Sequence, residues 1–187
     1  MEEKIRKFKD DLHLGTKQLV QKYVTTGTSA VLDEDLLFSL KKEISDFFKI
    51  HPNEVILVGS AKVGFSLAPG KRYRAFGDES DLDIAIISHD LFDQIWHSVL
   101  EYKYSGRFWD KENDFKHHFF HGWIRPDKLP PSNRFEFAKQ WWEYFSELRA
   151  SAKFGPYKIA GGIYRTWGFL DSYQSICIEK CKSEVKF

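Results

Sequence analysis

An α/β or α+β domain is the fold class that this sequence predicts, on three observations. Two short apolar runs, in "EVILVGS" and "LDIAII", are bounded by turn residues and read as buried strands. Around them, apolar residues recur at helical spacing in several longer stretches. The chain of 187 residues is 42% hydrophobic and 29% charged, which suits one domain with a substantial core. Its 17% aromatic content supplies enough apolar area to exclude disorder.

Residues 2–24 place Ile5, Phe8, Leu12, Leu19 and Tyr23 on one helical face, with Gly15 and Thr16 weakening the middle, so one bent helix or two short ones are expected. "TTGTSA" is a loop. Asp33 or Asp35 can cap the next helix, whose stripe is Leu36, Leu37, Leu40, Ile44, Phe47 and Phe48, closed by Pro52. After the first strand, "AKVGFSLAPG" reads as a short helix or turn and "KRYRAFGDES" as a polar loop or hairpin arm. Ser88 or Asp90 starts a helix on Leu91, Phe92, Ile95, Trp96, Val99 and Leu100. "FKHHFFHGWIRPDKLPP" is expected to be a third strand and a proline-rich turn, and Ser132 to cap a helix on Phe135, Ala138, Trp141, Trp142, Phe145 and Leu148. "YKIAGGIYRTW" reads as a last strand and "GFLDSYQSICIEKCK" as a final helix. The expected organisation is a single domain over 1–187, with N-terminal helices in 1–50, a core in 54–127, and C-terminal helices with the last strand in 132–187.

A formal net charge of +1 announces no polyanionic partner, so a nucleic acid would need a local patch. "MEEKIRKFKDDLHLG" lacks the apolar stretch of a signal peptide, and no run is long enough to span a bilayer. Cys177 and Cys181, four apart in the final helix, read as reduced packing residues. A cytoplasmic protein that does not engage a membrane is expected.

The chemistry concentrates in "GDESDLDIAII". On a strand, residues i and i+2 share a face, so Asp81 and Asp83 project together. Carboxylates that close repel unless a proton or cation lies between them. Mg²⁺ (or Mn²⁺) is the natural occupant, because it binds through one or two carboxylates plus substrate phosphates. Upstream, Gly59 and Ser60 leave a strand for a possible helix N-terminus, where bare N–H groups and the Ser60 hydroxyl can hold a nucleotide's phosphates. Lys62, one turn on, could add charge to the same tail.

With Gly59-Ser60 at the end of one strand and Asp81-x-Asp83 in the next, the chain resembles the nucleotidyltransferase superfamily related to DNA polymerase β. "DESDLDIAII" is similar to the corresponding stretch of its minimal bacterial members, and the resemblance covers residues 54–87. It implies a small mixed sheet flanked by helices, with the site at the strand ends. It further implies metal-dependent transfer of a nucleoside monophosphate from an NTP, ATP foremost, to an acceptor: an RNA end, a protein or a small molecule. Asp81 and Asp83 would be metal ligands. A third carboxylate on a later strand completes such sites, and Asp127, ahead of Asp171, is the candidate here. The segment between Ser60 and Asp81 is longer than in compact members, which points to an inserted hairpin around "APGKRYRAFGD".

Two other functions compete. One is a catalytically weakened nucleotide-binding module, an antitoxin or defence-system subunit with a partner protein, favoured if the third acid's position is empty. The other is a DxD glycosyltransferase, which leaves Gly59-Ser60 unexplained. Among the remaining motifs, His117 and His121 lack the companions of a zinc site. Lys71, Arg72 and Arg74 form a short basic loop of the kind that is usually solvated. "GGIY" allows either a close approach to a ligand or a bulge.

Overall fold

A computed structural model describes residues 1–184; the last three positions of the expected C-terminal segment lie outside the described residues. It is a mixed fold of eight α-helices and one four-stranded sheet among those residues. The strands are β1 (Val55–Val58), β2 (Asp81–Ile87), β3 (Trp123–Ile124) and β4 (Lys158–Tyr164), in the order β1-β2-β4-β3. β1 runs antiparallel to β2, β4 parallel to β2, and β3 antiparallel to β4. A parallel neighbour needs a long crossover, and the chain between β2 and β4 provides one. It carries α5 (His89–Tyr104), α6 (Glu112–Phe120), the edge strand β3 and α7 (Glu136–Ala150).

Alternation along β2 divides the molecule. Leu82, Ile84 and Ile86 face a cluster built with Leu40 and Ile44 of α3 (Glu34–Phe48), Phe92 and Ile95 of α5, and Trp141 and Phe145 of α7. Ala85 and Ile87 face a second cluster with Phe8 of α1 (Glu2–Asp10), Leu19 and Val20 of α2 (Thr16–Val20), and Leu170 and Ile178 of α8 (Trp167–Glu184). Asp81 and Asp83 lie on this second face, at the strand's N-terminal end.

The first 24 residues form two helices, not one bent one: α1 passes into a 3₁₀ turn at Asp11–His13, and α2 restarts after Gly15. Asp33 caps α3, its carboxylate accepting from the Leu36 N–H at 2.8 Å, an arrangement worth about 1 kcal/mol. Between α4 (Gly59–Val63) and β2 the chain makes the expected hairpin, with a Phe65–Ala75 bridge and paired Ser66–Arg74 and Tyr73–Ser66 hydrogen bonds.

Two expectations are corrected. "FKHHFF" is the body of α6, and β3 is only Trp123 and Ile124. Phe115 and Phe119 are spaced i, i+4 on that helix, and Glu112 pairs with Lys116 at the same spacing, so the helical period outweighs the local strand composition. Ser132 does not cap α7. It lies in a turn closed by the Arg134 N–H on the Pro131 carbonyl, and α7 begins after Phe135 without a side-chain cap. No helix among the described residues is long and apolar enough to cross a membrane.

Candidate nucleotide site

Gly59 is the hinge of the site. It leaves β1 with φ +66°, a left-handed conformation that glycine adopts without steric cost. Val58 pairs with Asp83 across the β1–β2 ladder, so the turn runs directly against that carboxylate. A Cβ placed on Gly59 would lie 2.5 Å from Asp83 Oδ2, closer than atoms can approach. The Gly-Ser turn and the Asp-x-Asp strand, 22 positions apart in sequence, are therefore one local structure. Helix α4 has only five residues, little more than a turn, so it offers bare backbone N–H groups with no developed helix dipole.

Asp83 is half-buried and its carboxyl is pushed up to about 6, first by burial and next by the neighbouring Asp81 carboxylate, with Lys158 acting in the opposite sense. No hydrogen bond reaches it among the described residues. Asp81 is more open, with 40% of its side chain exposed, and its Oδ2 lies 3.9 Å from the Lys158 ammonium.

Opposite the aspartates, β4 brings Lys158 beside Asp81, Ala160 beside Asp83 and Gly162 beside Ala85. A cavity of about 520 Å³ opens over this face. Gly59, Ser60 and Asp83 line it, as do Arg125, Asp127 and Lys158. Its wall is aromatic. The Trp123 indole stacks on Tyr164 with centroids 5.4 Å apart and planes 4° from parallel, and its centroid is 4.5 Å from that of Tyr173. Burial raises the pKa of both phenols. Gly162 makes room for the indole, since a Cβ there would lie 2.4 Å from Trp123 Nε1. Trp141 of α7 lies over Gly161 on the opposite face. The "GG" pair thus admits two tryptophans against the strand backbone; it is not a bulge.

The other expected site residues are placed differently. Lys62 does not line the cavity: its ammonium donates to the Gly27 carbonyl, and burial, then the Lys41 charge, lower its pKa. Asp127 lines the cavity, but it sits on a 3₁₀ turn (Pro126–Lys128) beyond the edge strand, not on a strand beside β2. Arg125 holds it with two hydrogen bonds, Nε–H at 3.0 Å and Nη2–H at 3.2 Å, and Lys128 approaches to 3.6 Å. Asp171 is on α8 and does not line the cavity. The strand beside Asp81 and Asp83 therefore bears a lysine and an alanine where a third acid is expected. Among the described residues no group of three or more His, Cys, Asp or Glu gathers at metal-binding spacing. Two carboxylates remain, a donor set that fits Mg²⁺ when a ligand's phosphates supply further oxygens.

Lys158, Trp123 and Tyr173 escaped the sequence reading. Lys158 is unremarkable as the second residue of "YKIAGGIY"; only strand register reveals its partner. Comparison with family models, with curated proteins and with solved structures finds no match to this chain.

Proposed function

We propose that the protein binds a nucleoside triphosphate, with ATP the first candidate, together with Mg²⁺, in a site of the nucleotidyltransferase type. The observation that carries this reading is the contact between the Gly59 turn and the Asp83 carboxylate, which unites a phosphate-binding turn with a metal-binding pair. The Ser60 hydroxyl and the bare N–H groups of the turn would hold the terminal phosphates. Asp81 and Asp83 would hold the cation, which when bound neutralises phosphate charge. The raised Asp83 pKa accords with a carboxylate whose counter-charge arrives with the ligand. Absence of an acid beside the pair on β4 favours binding over turnover. A DxD glycosyltransferase reading accounts for the aspartates but not for the Gly59 turn.

A second reading, nucleotidyl transfer, is favoured by Asp127 lining the same cavity. An acceptor hydroxyl would attack the α-phosphorus, pyrophosphate would leave, and Asp127, freed from Arg125, would take the proton. Calorimetry with each NTP and Mg²⁺, on wild type and on Asp81→Ala/Asp83→Ala, tests the first reading: binding lost in the variant supports it, and no binding by wild type refutes it. α-labelled NTP incubated with total RNA and cell lysate tests the second. Label transferred by wild type and not by Asp127→Asn would establish an enzyme.

A further inference from the structure

We propose that Lys158 is a fixed cation of the site: the nucleotide is held with a single divalent ion at Asp81 and Asp83, and the Lys158 ammonium serves against the phosphates where a second ion would otherwise sit. This rests on the nucleotide reading above and assigns the electrostatics of that same site. The register of β2 and β4 sets Lys158 on the face that carries Asp81 and Asp83. Its ammonium is 3.9 Å from Asp81 Oδ2, close enough for attraction but too far for a hydrogen bond. The side chain is 56% exposed and makes no hydrogen bond among the described residues, so its three N–H donors remain open to an anion.

Position and charge agree. Lys158 lines the cavity shared with Gly59, Ser60 and Asp83. The next residue on its face, Ala160, is small and leaves room beside Asp83 for a phosphate; beyond it the Trp123 indole covers Gly162. Two carboxylates and one ammonium carry a net charge of −1, which attracts one divalent ion. A second ion would meet the ammonium's repulsion with no further carboxylate beside it on β4 to offset that.

The test counts ions. Mn²⁺ is titrated into the full chain with a saturating non-hydrolysable ATP analogue and bound ions are counted by electron paramagnetic resonance, while calorimetry gives analogue affinity. The expected result is one Mn²⁺ per chain. Analogue affinity should fall about tenfold in Lys158→Ala, as for loss of one charge-assisted contact, and be largely kept in Lys158→Arg. Lys158→Glu should admit a second ion. Two ions in the wild type, or unchanged affinity in Lys158→Ala, would overturn the role of Lys158 while leaving nucleotide binding intact. A wild type that takes up neither ion nor analogue overturns the nucleotide reading itself. The side chain is exposed, and circular dichroism of each variant checks that the fold is kept.

Discussion

The two halves of the cavity are built on different terms. On the β1–β2 side, a glycine turn and two aspartates meet through neighbouring antiparallel strands, where the carboxylates repel each other and only one loose lysine offsets that. Where β3 meets β4, the carboxylate is already paired and the aromatic rings already stacked: Asp127 is gripped by Arg125, and Trp123 lies on Tyr164. The first half stores unfavourable charge that a cation would relieve; in the second the charged groups are paired, though the buried Trp123 Nε1–H finds no acceptor among the described residues. That cost accords with the proposed cation at the two carboxylates. The contrast implies that substitutions on the first side alter binding, whereas those on the second alter stability.

The sharpest way to break that contrast is to remove the carboxylates. Asp81→Ala/Asp83→Ala should cost about a thousandfold in Mg²⁺-dependent nucleotide affinity by calorimetry, without loss of thermal stability. Weakened folding with binding retained would reverse the assignment of the two sides.

Proton linkage gives the next effect, measured in metal-free buffer. Asp83 ionises near 3.8 when unfolded and at about 6 when folded, so between those values the native state binds the extra proton. Its contribution to stability therefore falls as pH rises from about 4 to about 6, by at most about 3 kcal/mol, less whatever the cavity water screens. Urea midpoints for wild type and Asp83→Asn across that window check this: the variant should lack the decline and be the more stable above pH 6.

Two glycines sharpen the comparison. Gly162→Val drives a side chain into the Trp123 indole and should cost about 2 kcal/mol in denaturant unfolding. Gly59→Ala strains a left-handed residue by about 1–2 kcal/mol and also displaces the Asp83 carboxylate, so it should lose nucleotide affinity as well. Smallest of all, Asp127→Asn should change stability by less than about 1 kcal/mol, since both members of its ion pair are 37% exposed.

How much of this was legible depends on the range of the interaction. Asp81 and Asp83 share a face because strands alternate, and the "LDIAII" run announced the strand. The cap was readable to within Asp33 or Asp35 from neighbouring residues, and the hairpin between Ser60 and Asp81 from the length of that segment against the compact members of the family it resembles. The misassigned α6 shows the limit of composition: its phenylalanines favour a strand locally, but the spacing of Phe115 and Phe119 suits a helix that packs on the sheet. Lys62 shows another limit. Being one turn from Ser60 says nothing about where a long side chain goes, and it went to the Gly27 carbonyl.

Periods and dihedral preferences within a few residues fix the strands β1 and β2, the shared face of the two aspartates and the glycine turn that precedes them. The assembled fold sets Lys158 beside Asp81, puts Asp127 past an edge strand in the grip of Arg125, and brings Trp123 onto Gly162. Those depend on the register and order of strands joined by a long crossover, which is settled by burying both faces of the sheet at once and leaves no local signature in the chain.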